Sequence, residues 1–446
     1  MFRKVVVGIS GGVDSAVATL ILKNKGFNVC ALFMQNWDIK DEMGICTSDE
    51  DFKDASEVCK KLNVPIYYVN FVKEYWNEVF SYFLKEYESG YTPNPDILCN
   101  RFIKFNYFFH YAREYLHGDA IATGHYARTS FGSYLENYSD VKVKLLRPYD
   151  EMKDQTFFLS QVKQEALRHT MFPLGTLLKS EVKNIALQNG FQKVSRKKES
   201  MGICFIGNRN FQSFIAEYIE DKPGKFVNIE NGETVGDHNG IHQWTIGQRA
   251  KIDGRSLPFF VARKDLDTNT IYVAERHNHS ALQTELFFTD KPHWIYETPE
   301  ELRRHDILSC RFTDQNMKEA VDCEVYEAER GLIVSLSREK RALAPGQFAV
   351  FYKNEECLGS ARISSSGPSN FILHWLQRNN VVFIAHKLNI YKTTISGNCE
   401  INTENEYMQE TKTNKYTTCK SSNNQIKENI QDNKISIVKL GIRHNC

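Results

Sequence analysis

The chain has 446 residues and a mass of 51.6 kDa, too long for one ordinary domain. Hydrophobic residues make up 41% and charged residues 25%, and no apolar run is long enough to read as a transmembrane helix. Lys and Arg number 56 against 55 Asp and Glu, so a polycation that coats nucleic acid is excluded and any nucleic-acid site must be a local patch.

Val5-Val6-Val7-Gly8-Ile9 is a short, β-branched run that predicts a buried strand. Ser15 to Lys25 predicts a helix stopped by Gly26. Val29 to Met34 is a second strand, Asp51 to Leu62 a helix, and Pro65 to Val69 a third strand. Lys73 to Tyr87 and Phe102 to Leu116 predict aromatic-rich helices, and Asp119 to Thr123 a further strand. This alternation argues for a parallel sheet with helices on both faces. After about residue 205, Gly, Pro and Asn punctuate short apolar runs such as Ile271-Tyr272-Val273 and Phe348-Ala349-Val350-Phe351. That half predicts mostly β structure, in two small modules joined near residues 276–284. Residues 386–446 hold ten Asn and seven Thr and predict a disordered tail, since they bury too little apolar surface to offset their ordering entropy.

Eleven cysteines are scattered over the whole length. The odd count, with no secretory segment before them, predicts free thiols in a reducing compartment. The absence of Cys-x-x-Cys speaks against a zinc ribbon and most iron–sulfur sites, and no metal centre is expected.

The strongest motif is Gly8-Ile9-Ser10-Gly11-Gly12-Val13-Asp14-Ser15, which leaves the first strand and enters the first helix. Adjacent glycines let the main chain approach an anion, and Ser10, Ser15 and the helix N–H groups can donate to phosphate oxygens. Asp14 is open to two readings, a magnesium ligand beside the phosphates or a helix cap. The string is neither a Walker loop nor a dinucleotide fingerprint. It resembles the pyrophosphatase (PP) loop of the adenine-nucleotide α-hydrolase-like enzymes, which split ATP between the α and β phosphates.

Two cysteines sit in unusual settings. Cys99 follows Asn94-Pro95-Asp96-Ile97-Leu98, where two prolines predict an extended segment, and Arg101 and Lys104 follow at the expected start of a helix. Cations at a helix N-terminus lower a thiol pKa, and a buried packing cysteine is the equal alternative. Cys204 lies between glycines after Arg196-Lys197-Lys198, with the same two readings. Lys193 to Lys198 carries four basic residues in six, as a phosphate contact or a solvated surface.

Phe33-Met34-x-Asn36-Trp37, Glu74-Tyr75-Trp76, Asn94 to Asn100, Ala122-Thr123-Gly124-His125-Tyr126, Lys153-Asp154-Gln155 and Gly202 to Gly207 follow the loop in order. Thr245-Ile246-Gly247-Gln248-Arg249 and Pro345 to Tyr352 continue the series. Together they resemble the tRNA-specific 2-thiouridylases (the MnmA/TRMU family) over roughly residues 3–366, closer to the eukaryotic, mitochondrial branch. The run Ala250 to Arg255 followed by Phe259-Phe260 departs from that family's glycine-rich stretch and Trp-Tyr.

The resemblance implies an α/β fold: a Rossmann-like PP-loop domain over 1–207, a small β-rich domain over 208–280 and a tRNA-contacting β-barrel over 281–366. Gly8, Ile9, Ser10, Gly11, Gly12, Val13, Asp14 and Ser15 would cradle ATP with its Mg2+, bordered by Met34 and Gly124. Asn94, Pro95 and Asp96 would touch the target base, with Asp96 as general acid/base. His125, Lys153, Asp154, Gln155, Arg311, Phe312 and Gln347 would contact tRNA. Cys204 would take a persulfide from a donor protein, a desulfurase or relay, and Cys99 would attack it. The implied product is 2-thiouridine at the wobble position of Lys-, Glu- and Gln-type tRNAs. The rival readings are another AMP-forming pyrophosphatase and a non-catalytic tRNA-binding protein. Met1 to Lys4 runs straight into the first strand, leaving no room for a separate transit peptide. The mitochondrion is expected from the branch, with the cytoplasm as alternative.

Overall fold

The computed structural model describes residues 2–37, 47–197, 205–206, 209–252, 254, 257–315 and 320–378. Cys204, Lys198 and the tail 386–446 lie outside the described residues. Residues 1–371 form one compact body. From Ile372 onward only the end of the helix Asn370–Arg378 is described.

A five-stranded, all-parallel sheet carries the N-terminal part, ordered Ile66–Asn70, Asn28–Gln35, Lys4–Ile9, Ala120–Ala122 and Thr170–Met171. Val5, Val6 and Val7 are fully buried, as a central strand covered on both faces demands. The helix Val13–Asn24 covers one side of its own strand. In the helix Thr47–Leu62, Ala55, Val58, Cys59 and Leu62 are buried at helical spacing. The two-residue strand Thr170–Met171 is too short to leave a pattern in the sequence.

The second predicted aromatic helix differs from expectation at its start. Pro95 is not part of an extended segment but opens the helix Pro95–Leu98, with Asn94 as its N-cap. Proline is tolerated at the first helical position because its missing N–H has no intrahelical acceptor there. The coil then widens to π geometry over Cys99–Tyr107 and returns to α over Phe108–Glu114.

The central module is a five-stranded sheet formed by Gly224–Asn228, Thr234–His238, Arg249–Ala250, Phe259–Asp265 and Thr270–Glu275. Beyond it six strands close into a barrel: Gln283–Thr289, Leu308–Thr313, Val321–Ala328, Gly331–Arg341, Phe348–Lys353 and Glu356–Ser366. Pairing of Gln283–Thr289 with Glu356–Ser366 completes the ring, so neither keeps an open edge along that seam. Phe287, Phe312, Val325, Val334, Phe351 and Ile363 fill the interior. Cys310 and Cys323 face each other across the ladder with sulfurs 3.6 Å apart, and Cys30, Cys59 and Cys357 are also buried.

The barrel docks on the first domain through buried polar contacts. Gln161 Nε2 donates to Ser360 O at 3.1 Å, and Arg362 pairs with Glu86 at 2.6 Å. The Tyr352 and Thr156 hydroxyls lie 3.1 Å apart.

Along Leu308–Thr313 the side chains alternate out and in, with Arg311 exposed and Phe312 at 0% exposure. Phe312 is therefore corrected from a tRNA contact to a core residue, its ring 4.9 Å from that of Phe287. Phe312→Ala is expected to cost about 3–5 kcal/mol by cavity formation. Arg311→Ala is expected to stay within about 0.5 kcal/mol, both read by denaturant unfolding.

Candidate active site

The sheet order reverses between the strands Lys4–Ile9 and Ala120–Ala122, and crevices at the carboxyl ends of such strands receive ligands. The loop Ser10-Gly11-Gly12 leaves the first of these strands, and Thr123-Gly124-His125 leaves the second. Gly11 has φ +70°, and a β-carbon there would lie 2.4 Å from the Asp51 carbonyl oxygen. A β-carbon on Gly124 would lie 2.6 Å from the Ser15 nitrogen. The two loops thus touch backbone to backbone, which only glycine permits. Met34 packs beside Gly8. Ser15 Oγ accepts from the Ser10 N–H at 3.1 Å and donates to Gly12 O at 3.1 Å, holding the loop in shape from within. The first helical N–H groups lack intrahelical acceptors and carry the positive end of the helix dipole, a cradle suited to polyphosphate.

Asp14 does not cap the helix, whose N-cap is Gly12, and its carboxylate, about a third exposed, is paired. Lys179 Nζ donates to both of its carboxylate oxygens at 2.7 Å, and the Tyr126 hydroxyl donates to Oδ1 at 2.9 Å. Lys179 is only 9% exposed. Among the described residues no group of three or more His, Cys, Asp or Glu is placed to hold a metal ion. Lys179 was missed in the sequence, although a signal existed. It is the first residue of the helix Lys179–Gln188, where the dipole disfavours a cation unless a nearby anion holds it.

The second half of the site hangs from Asn94. Its Oδ1 accepts from the Ile97 N–H at 3.1 Å, and its Nδ2 donates to Gln315 Oε1 of the barrel at 2.8 Å. Cys99 is 7% exposed and sits one turn into the helix, not at its N-terminus. Arg101 is turned away to Gln161 Oε1 at 2.8 Å. Burial raises the Asp96 pKa, and the Lys104 charge works against that rise. Burial lowers the His125 pKa, and Lys104 lowers it further. Lys104 therefore faces both groups. The His125 ring packs against Phe105 and Phe172, and its Nδ1 lies 2.7 Å from Thr123 Oγ1. This buried imidazole, its pKa pushed down by desolvation, does not stand at the surface where tRNA was expected, and with Gly124 and Tyr126 it forms a wall beside the phosphate loop.

Other expected tRNA contacts are turned inward. Asp154 pairs with Arg147 Nε at 2.9 Å and accepts from Thr156 N–H and Oγ1. Gln155 Oε1 accepts from the Tyr126 N–H at 2.8 Å. Gln347 Nε2 donates to the Thr92 and Pro93 carbonyls at 3.0 and 3.2 Å, clamping the residues just before Asn94. Lys153 stays partly exposed and Arg311 exposed. In the basic stretch Lys193 pairs with Asp54 and Glu57, and Lys197 with Asp51 and Asp54. Those two lysines staple the helix that backs Gly11 rather than waiting for phosphate.

Lys179→Met removes the counter-charge from Asp14 beside the phosphate cradle. ATP affinity is expected to fall about tenfold, or ~1.4 kcal/mol, with partial recovery on adding Asp14→Asn, measured by equilibrium binding.

Comparison with known proteins extends this picture. Residues 3–208 match the family model described as the tRNA methyl transferase HUP domain, 212–275 the tRNA methyl transferase PRC-barrel domain, and 284–363 the aminomethyltransferase β-barrel domain. The mitochondrial tRNA-specific 2-thiouridylase 1 of Drosophila melanogaster is 51% identical over 371 residues, covering 82% of this chain and 95% of that protein. The protein of the same name from Gallus gallus is 49% identical over 397 residues, covering 83% and 94%. That from Homo sapiens is 49% identical over 394 residues, covering 84% and 94%. With identity at this level along nearly the whole of each relative, and a nucleotide-binding PP-loop domain in front of two β modules, the chain belongs to the mitochondrial tRNA-specific 2-thiouridylase family.

Proposed function

We propose that the protein is an ATP-dependent tRNA sulfurtransferase of mitochondria that converts the wobble uridine of Lys-, Glu- and Gln-type tRNAs to 2-thiouridine. The observation that carries this reading is the shared wall Gly124-His125-Tyr126. Gly124 abuts the phosphate loop, the Tyr126 hydroxyl holds Asp14, and His125 shares the Lys104 field with Asp96. On this reading the nucleotide in the phosphate loop and the base at Asn94-Pro95-Asp96 meet at this wall.

A uridine carbonyl oxygen is a poor leaving group, and adenylation by ATP makes it AMP. Magnesium would accompany ATP as the counter-ion of its phosphates and would ease departure of pyrophosphate, with Asp14 held beside the loop by Lys179 and Tyr126. The wobble base is flipped from its loop to meet Asn94-Pro95-Asp96. Asp96, as carboxylate, accepts the N3 proton as the 2-oxygen attacks the α-phosphate, the α–β phosphoanhydride breaks and pyrophosphate departs. Cys204 carries the persulfide delivered by a donor protein, a cysteine desulfurase or a relay. Its terminal sulfur attacks C2, directly or after release as hydrosulfide, and AMP departs. Cys99 attacks the inner sulfur of Cys204, leaving a Cys99–Cys204 disulfide that an external dithiol reduces. The flanking β modules orient the anticodon arm by shape.

The test combines unmodified tRNA, ATP, magnesium and a sulfur source, with mass analysis of the wobble nucleoside. Sulfur in place of oxygen is expected, with Cys99→Ser and Cys204→Ser inactive when a persulfide is the donor. Pyrophosphate without a thionucleoside would move the protein to another adenylating class, and neither product would leave a non-catalytic tRNA-binding protein.

The pH dependence follows from Asp96. Burial raises its pKa, so protonation removes the base at a higher pH than for an exposed carboxylate. The thiolation rate is expected to rise with pH through that raised pKa, and Asp96→Asn to lose at least about a hundredfold. Lys104→Met removes the charge that opposes the rise, and is expected to move the acid limb of the rate profile upward in pH.

A further inference from the structure

The turn 147–155 is fixed on its inner side at five of its nine residues: 147, 149, 150, 154 and 155. Arg147 pairs with Asp154, and the Tyr149 N–H donates to Gly175 O at 2.9 Å. Asp150 Oδ2 accepts from the Lys179 N–H at 2.8 Å, and Gln155 holds Tyr126. Through Tyr126 and Lys179 the turn is bolted to the same two residues that hold Asp14, so it forms a rim of the ATP site. Its outer side carries Tyr149 and Met152, which are 61% and 90% exposed. The Arg128 guanidinium lies 4.7 Å over the Tyr149 ring and is itself held by Arg147 O at 2.7 Å and Glu355 at 3.0 Å.

Single exposed apolar residues are ordinary. Here a backbone held at several points, an arginine-backed aromatic ring and a protruding thioether occur together at the rim of the ATP site, which the base must reach to be adenylated. Neither side chain bears a charge that would hold phosphate. The tyrosine presents a flat ring braced by Arg128, and the methionine an adaptable, polarisable thioether. Unpaired nucleotides are held by such surfaces, through stacking on aromatic rings.

We infer that Tyr149 and Met152 form a stacking platform for an unpaired anticodon-loop nucleotide next to the flipped wobble base. This inference rests on the thiouridylase reading. The residues of this turn that meet nucleobases are then the outward Tyr149 and Met152, while Asp154 and Gln155 hold the turn in place.

The test uses the full chain with hydrosulfide-driven thiolation at saturating ATP. Tyr149→Ala is expected to raise the KM for tRNA about tenfold, the scale of one lost base–aromatic stack, with ATP affinity unchanged. Tyr149→Phe keeps the ring and is expected to stay near native. Met152→Ser is expected to raise the KM severalfold. An anticodon stem-loop made abasic beside the wobble position is expected to erase the difference between native and Tyr149→Ala proteins. Native thiolation with an unchanged tRNA KM for Tyr149→Ala would overturn the platform and leave the thiouridylase reading standing. A matching loss of ATP affinity would make the residue structural, and a raised KM only for a persulfide donor protein would assign the surface to that donor. Either result overturns the proposal.

Discussion

Three domains meet on one residue, and the base pocket depends on it. The Thr92 N–H donates to Pro345 O of the barrel at 2.8 Å, and its carbonyl accepts from Gln347 Nε2 at 3.0 Å. Its hydroxyl reaches Thr245 of the central module at 3.2 Å. Two residues later Asn94 is joined to Gln315 of the barrel. The stretch between the helices ending at Glu88 and opening at Pro95 has no ladder of its own to fix it. The Thr92 N–H and the Gly90, Thr92 and Pro93 carbonyls are satisfied from the other two domains, so the position of Asn94, Asp96 and Cys99 depends on how those domains dock. Lys264 of the central module adds a bond to Gly90 O at 3.0 Å, and its burial pushes its pKa down to about 7. A largely desolvated amine spent on one carbonyl shows how tightly that joint is closed.

The same economy governs charge around the two halves of the site. Asp14 is balanced by Lys179, and Asp96 and His125 share Lys104. Each carboxylate feels one cation, and Tyr126 of the wall Gly124-His125-Tyr126 holds Asp14 directly. A negatively charged nucleotide enters a cradle whose only acidic side chain in the loop is already paired. The π-helical stretch Cys99–Tyr107 follows the base-contacting segment directly, at the kind of place where such widened turns concentrate.

The structure redistributes roles that motif reading had pooled. A tripeptide such as Lys153-Asp154-Gln155 reads as one contact surface, but a tight turn sends successive side chains in different directions. Asp154 and Gln155 go inward and Lys153 stays at the surface. Arg311 and Phe312 separate for the simpler reason that a strand alternates. Gln347, expected at the tRNA, is occupied with the Thr92 and Pro93 carbonyls. The basic run near Lys197 meets the acidic first turns of the helix Thr47–Leu62, a pairing between segments over a hundred residues apart that no local pattern announces.

The sequence alone determined the parallel sheet, the phosphate loop and the β-rich second half, because these rest on local period and on backbone torsions open only to glycine. It also placed Asn94, Asp96 and Cys99 in one segment, since they are neighbours in the chain. It misread the start of their helix, where Pro95 at the first position looked like a breaker. Tertiary structure decided what local pattern does not encode: that Lys179 meets Asp14, that Thr92 is shared by three domains, and that Tyr149 and Met152 face outward. Each of these joins residues distant in sequence or depends on which side of a turn the fold covers, and burial settles both only when the domains have packed.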